Sequence, residues 1–252
     1  MRIGTTSYVY PADILTNVRR LAGLAMDVEL VIFEAKNPDR DLPDQGVIAE
    51  LRRIAADHDM TYTVHLPLDL VLAHPESASS VETATRVIDR TLELDPYGFI
   101  VHLEDGNRDR IHDPAEWLEN SVSSLELLAG VVGDYGRLCV ENLEIHPPEL
   151  LDAVSRAHPV SFCVDVGHLW VTGRPDVPLL DRWLPRTRVV HLHGVGARDH
   201  QSLAQMPASR LDPVTNLLRD FHGVVTLEVF SERDFVTSLR AFEASKARIG
   251  AG

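Results

Sequence analysis

The sequence predicts an α/β protein, a single (β/α)8 TIM barrel over residues 1–252. Three observations carry that expectation. Short β-branched runs alternate with longer amphipathic segments about eight times, the pattern of a barrel in which every strand is followed by a helix. Most of these runs carry a histidine, an aspartate or a glutamate near their C-terminal end. The first run is followed by Thr5-Thr6-Ser7-Tyr8, and a doubly wound nucleotide-binding sheet would carry a glycine-rich phosphate loop there.

In chain order the strand candidates are 2–8, 28–34, 62–68, 98–104, 136–144, 160–168, 187–195 and 224–230. Helix candidates are 11–24, 44–59, 81–94, 114–132, 147–156, 177–184, 212–221 and 231–248. Val47, Ile48, Leu51, Ile54 and Ala55 recur at helical spacing. Asp44 and Asp113 are expected N-caps, the latter with Pro114 in the first turn. A helix start is also expected at Asp212-Pro213. The longest irregular stretch is 194–209, after the seventh strand, where a long βα loop would carry function.

Apolar residues make up 44% of the chain and charged residues 25%, an ordinary globular composition. No apolar run reaches the roughly 20 residues of a membrane span, and the opening reads as a strand rather than a secretion signal, so the expected location is the cytoplasm. Cys139 and Cys163 lie inside apolar runs and read as core thiols. A net charge of −14 disfavours a nucleic-acid partner.

Side chains at the C-terminal ends of barrel strands converge on one mouth. Those ends offer Glu34, His65, His102, Glu141, Asp165, His168, His191 and Glu228. Two residues before each of these except His168 stand Ile32, Thr63, Ile100, Cys139, Cys163, Val189 and Thr226, and the period of two places those polar residues inward with them. So many imidazoles and carboxylates in one apolar cup need a cation or tight pairing. Neutral imidazole and carboxylate ligands suit zinc, manganese, iron or cobalt. His193 shares the parity of His191 but sits further out, at substrate or as support for a ligand; Asp199 and His200 are expected to fold back over the mouth. His58, His74, His112, His146, His158 and His222 fall elsewhere and are assigned no role.

These residues resemble the xylose isomerase-like TIM-barrel superfamily, which includes endonuclease IV, other metal-dependent phosphodiesterases, and sugar isomerases and epimerases. The resemblance covers essentially the whole chain. Within the superfamily, Gly4-Thr-Thr-Ser-Tyr-Val-Tyr-Pro-Ala-Asp-Ile-Leu15, Asp27-Val-Glu-Leu-Val-Ile-Phe-Glu34 and Tyr62-Thr-Val-His-Leu-Pro-Leu68 are most similar to the cobamide-remodelling phosphodiesterases. The endonuclease IV pattern implies that His65 and His102 hold one divalent ion and that Glu141 reaches a second, completed by Asp165, His191 and Glu228. His168 and His200, with Asp199, would hold a third. The family spaces the last pair Asp-x-His, whereas Asp199 and His200 are adjacent, and adjacent side chains do not easily aim at one ion.

Two or three divalent ions and a phosphodiester substrate are therefore expected, with Glu141, Glu228 and Asp165 at the reacting centre and a hydroxide bridging the metals as nucleophile. The resemblance implies a cobamide, cleaved at its nucleotide loop; Tyr8, Tyr10 and Trp170 lie just beyond strand ends, where corrin contact and core or rim packing are equally good accounts of their rings, and Glu34, His193 and Asp199 are the other candidate substrate contacts. The alternative is a sugar or sugar-phosphate isomerase or epimerase with one metal and Glu141 and Glu228 as acid and base. An endonuclease acting on DNA is a further option that the charge disfavours. His65 and His102 tilt the choice, because a one-metal epimerase has no evident use for them.

Overall fold

The computed structural model describes residues 1–33, 42–107 and 109–250. Eight parallel strands, β1 (Arg2–Thr6), β2 (Asp27–Val31), β3 (Thr61–His65), β4 (Phe99–Val101), β5 (Leu138–Glu141), β6 (Ser161–Asp165), β7 (Thr187–Leu192) and β8 (Val224–Leu227), pair in chain order. The last strand pairs with the first, Gly4 standing opposite Thr226, and closes the barrel. Closure removes both sheet edges, so every strand backbone finds partners on two sides.

The helices form the outer layer: α1 (Ile14–Leu21), α2 (Gln45–His58), α3 (Ala78–Thr91), α4 (Pro114–Val132), α5 (Pro148–Ala157), α6 (Val166–Val171), α7 (Asp176–Trp183), α8 (Ala208–Leu217) and α9 (Glu232–Gly250). Asp13, Asp44 and Asp113 cap α1, α2 and α4 as side-chain acceptors of first-turn amides. The expected caps at Asp44 and Asp113 are both present. Among the described residues no helix is long and apolar enough to cross a membrane.

Strand periodicity splits the buried residues into two sets. Val28, Leu30, Val64, Phe99, Val101, Val140, Phe162, Val164, Val190 and Val225 pack outward with helix residues such as Leu21, Leu51, Val87 and Leu128 in one large cluster. Ile100, Cys139, Cys163, Val189 and Val224 form a separate cluster inside the barrel. Both thiols are free and buried. That apolar layer floors the mouth and sets the inward parity of the residues two places further on.

Several expectations need correction. The strands are shorter than the sequence suggests; β6 ends at Asp165, and His168 lies on α6 rather than on a strand. Ile32 belongs to the outer cluster, so the inward residues of β2 are Asp27, Glu29 and Val31 and not the Ile32 parity. The connection after β7 is more ordered than expected: Gly194 pairs with Gln201, a 3-10 turn covers Leu203–Gln205, and α8 begins at Ala208. Pro213 lies inside α8 and Pro207 precedes its first residue, so the helix forfeits one internal bond rather than starting at Asp212.

Candidate metal centre

β3, β5 and β6 end at His65, Glu141 and Asp165, His191 is the fifth residue of β7, and His102 and Glu228 directly follow β4 and β8. Glu141 stands at the middle. Its Oε2 lies 3.4 Å from His65 Nε2 and 3.0 Å from His102 Nε2, while Oε1 lies 3.5 Å from His191 Nδ1. His191 Nδ1 is in turn 3.0 Å from Glu228 Oε2 and 3.8 Å from Asp165 Oδ2. Ligand atoms around a tetrahedral ion with bonds of about 2.1 Å lie about 3.4 Å apart, so these spacings are compatible with a shared cation as well as with direct pairing. Ligand atoms group within 4.8 Å as His65, His102 and Glu141; as Glu141, Asp165, His191 and Glu228; and as Asp165, His168, His193 and His200.

The local fold delivers these groups for identifiable reasons. Asp165 is both the last residue of β6 and the N-cap of α6, its Oδ1 accepting from the His168 amide at 2.7 Å. One turn of helix then swings His168 back over the mouth. Asn142 braces the two strand ends, donating from Nδ2 to the Asp165 carbonyl at 2.9 Å and accepting from the Asp165 amide at 2.8 Å. Ring orientations are fixed the same way: His65 Nδ1 donates to the Leu66 carbonyl at 2.8 Å and His168 Nδ1 to that of Asn142 at 2.9 Å, leaving each Nε2 free to bind.

Burial opposes every charge in this cup, and mutual pairing overrides it. His191 and His102 hold the Glu141 carboxyl well below the ordinary carboxylate range, and His191 and His200 do the same for Glu228. Against the same burial, Asp165, Glu141 and Glu144 push His168 up to about 9, Cys163, Glu29, Glu228 and Glu141 raise His191, and Asp165 and Asp199 raise His193, both well above the ordinary imidazole value. The pairing is incomplete. Asp165 Oδ2, His191 Nδ1, His193 Nε2 and Glu228 Oε2 are buried without a hydrogen-bond partner. Buried atoms of this kind normally find one, and all four belong to the ligand groups. The donor set of imidazole and carboxylate therefore fits divalent first-row ions. Cys163 stands near Glu141 and His191, but burial raises its thiol well above the ordinary value and keeps it protonated.

The sequence expectations fare unevenly. His65, His102, Glu141, Asp165, His168, His191, His200 and Glu228 are brought together. His193, expected at substrate or in support, joins the third group in person. Asp199 and His200 converge on His193 but fall in different ligand groups: Asp199 Oδ1 lies 3.1 Å from His193 Nδ1 and Oδ2 3.5 Å from His200 Nδ1, while the His200 ring stacks on His193 at 4.2 Å with Nε2 3.4 Å from Glu228. His200 itself has a left-handed backbone, φ 52°. Tyr8 packs edge-on against Phe33 at 4.4 Å, and Phe33 lines the cleft. Tyr10 is buried beside Glu232 and Arg20, and Trp170 is buried with its indole N–H on Asp176; neither lines the cleft, because both pack into the helix layer. Glu34 lies outside the described residues. The cleft itself measures about 730 Å3 and combines Phe33, Leu68, Leu143 and Phe230 with the ligand side chains.

Sequence reasoning missed Glu29. It is fully buried, and its Oε2 lies 2.9 Å from His191 Nε2. The available signal was the alternation of Asp27 and Glu29 inside an apolar strand, which places two carboxylates on one face.

A closed parallel barrel with a nitrogen- and oxygen-donor centre at its C-terminal mouth defines the class of TIM-barrel enzymes that gather their chemistry from the strand ends. The chain belongs to the xylose isomerase-like TIM-barrel family, whose model matches residues 22–249. No curated sequence matches it significantly. Among solved structures, a D-tagatose 3-epimerase-like protein superposes with a TM-score of 0.80 at 20% identity, covering 100% of this chain and 99% of the other. D-psicose 3-epimerase from Clostridium cellulolyticum gives 0.76 at 18% identity, covering 98% and 99%. Endonuclease IV from Thermus thermophilus gives 0.71 at 18% identity, covering 98% and 100%. At these identities the likeness is one of fold.

Proposed function

We propose that this barrel is a metal-dependent phosphodiester hydrolase with a binuclear centre. One observation carries the reading: Glu141 turns one oxygen to His65 and His102 and the other to His191, so a single carboxylate serves two groups of ligand atoms. His65, His102 and Glu141 would hold one ion, and Glu141, Asp165, His191 and Glu228 a second. Two cations bound there would supply Lewis acidity at the phosphoryl group and spread its charge. The chain's own part is positional. The apolar floor of Ile100, Cys139, Cys163 and Val189 excludes water from below. Glu228, 3.4 Å from His200, faces the cleft as the carboxylate best placed to orient an attacking water. Phe33 and Phe230 offer flat apolar surface beside it. Among phosphodiesters, the strand sequences noted above favour the nucleotide loop of a cobamide.

The comparisons weigh toward the other chemistry, because two of the three structures described above are sugar 3-epimerases or epimerase-like. On that reading Glu141, Asp165, His191 and Glu228 would hold a single ion, and the two glutamates would move a proton beside a carbonyl. His65 and His102 then have no ligand role. The experiment is metal analysis of the purified chain with and without His65→Ala and His102→Ala, coupled to product chromatography. Two or more ions per chain, reduced by either variant, together with release of an α-riboside from adenosylcobalamin, support the hydrolase. One ion per chain, unaffected by the variants, with interconversion of ketohexoses, overturns it in favour of the epimerase.

A further inference from the structure

We infer that Glu29 is a positioning residue that fixes His191 with Nε2 protonated and so commits Nδ1 to the metal centre. The inference rests on the metal-dependent reading above but not on which reaction the centre performs.

Glu29 is the middle residue of β2, and His191 belongs to β7, so the contact crosses the barrel lumen rather than joining neighbouring strands. Both side chains are fully buried. The other inward carboxylate of β2, Asp27, accepts from the hydroxyls of Thr61 at 2.7 Å and Thr63 at 2.9 Å. Glu29 has no such hydroxyls. Its Oε1 is buried without a hydrogen-bond partner, and its Oε2 meets the His191 ring. Glu29 is in none of the ligand groups. A carboxylate in an apolar lumen costs several kcal/mol unless it is paired, so a role outside ligation has to account for its presence.

The geometry around the ring supplies that role. Glu141, Asp165 and Glu228 all approach His191 at Nδ1, at 3.5, 3.8 and 3.0 Å. Among the carboxylates of the described residues, Glu29 alone approaches Nε2, at 2.9 Å. An acceptor at Nε2 keeps the proton there, leaves the Nδ1 lone pair toward the three carboxylates, and locks the ring plane. Without it the ring is free to rotate, or to protonate at Nδ1, and the four-residue group loses its nitrogen ligand.

The test uses the full chain titrated with Zn2+. Nitrogen-15 spectra of the histidine rings should show His191 bound through Nδ1 and protonated at Nε2. Glu29→Leu should weaken the Glu141, Asp165, His191 and Glu228 site by about 10- to 100-fold. Glu29→Gln, whose amide oxygen still accepts from Nε2–H, should recover much of that loss, and the His65 and His102 ion should bind as in the wild type. His191 bound through Nε2, or equal affinity in wild type and Glu29→Leu, overturns the inference. If Glu29→Leu does not fold, the wild-type spectrum and Glu29→Gln still decide it. Failure of the wild type to bind any ion at this group would instead remove the metal-dependent reading, and the inference with it.

Discussion

At the scale of single residues, the mouth depends on close approaches as much as on ligands. Gly167 follows Asp165 by two positions, and a Cβ there would overlap the ring of His193. That ring is buried between Asp165 and Asp199 and has little room to yield. Gly167→Ala is therefore expected to displace His193, costing about 1–3 kcal/mol by overpacking and lowering affinity at the Asp165, His168, His193 and His200 group. Urea denaturation and Zn2+ titration of the variant measure both effects. The glycine was visible in the sequence between Asp165 and His168, but nothing local said that a histidine from beyond the end of β7 would lie against it. His193 was undervalued for the same reason: its position beyond the end of β7 says how far out it starts, not where its ring is carried.

Among the elements, α6 shows one carboxylate in two roles. Asp165 caps the helix through Oδ1 and presents Oδ2, 3.8 Å from His191 Nδ1, to the ligand groups. Asparagine at this position keeps an acceptor for the His168 amide and loses the charge, while alanine loses both. Asp165→Asn and Asp165→Ala are thus both expected to abolish binding at the groups that use Asp165, with the alanine variant less stable than the asparagine variant by about 1 kcal/mol, the worth of an N-cap. Equal stability of the two variants in chemical denaturation would show that the cap contributes nothing. The sequence run 160–168 reads as one continuous strand because Val164, Val166 and the flanking apolar residues fit a strand. The cap ends it instead, since the Asp165 side chain captures the amide of His168 and begins a helix. A similar competition moved the start of α8: Pro213 looks like a first-turn residue, yet Pro207 precedes a helix that begins upstream at Ala208.

Across the whole molecule, the carboxylates inside the barrel make stability depend on pH. Burial raises the Asp27 carboxyl from 3.8 to about 7 despite the hydroxyls of Thr61 and Thr63. An acid with a raised folded-state pKa favours the fold while it is protonated in both states. Its contribution falls as pH climbs from about 4 to about 7, because the unfolded chain releases the proton first. The full shift corresponds to about 4 kcal/mol as an upper bound, at about 1.4 kcal/mol per unit. Asp27→Asn removes this group from the titration, so its stability relative to wild type should rise between pH 4 and pH 7 and then level off. Urea midpoints at pH 4.5, 6 and 8 check the prediction, and parallel curves would refute it. Asp27 also explains Gly4 on the adjacent strand, where a Cβ would come within 2.8 Å of the Asp27 carbonyl oxygen.

The barrel itself, the strand order and most of the ring of candidate ligands were legible in the sequence. They follow from local properties: an apolar run of period two, a helix of period 3.6 and a titratable residue at the strand end. What the tertiary structure alone decided is how those side chains meet. Glu29 and His191 stand 162 residues apart on strands that do not pair. No local pattern brings them together; barrel closure does, by folding β2 and β7 around one lumen. The same closure sets His193 between Asp165 and Asp199, stacks His200 on it, and turns the two oxygens of Glu141 toward two different groups of ligands. Periodicity fixes which face a residue occupies, whereas the distance between two facing residues depends on how all eight strands close.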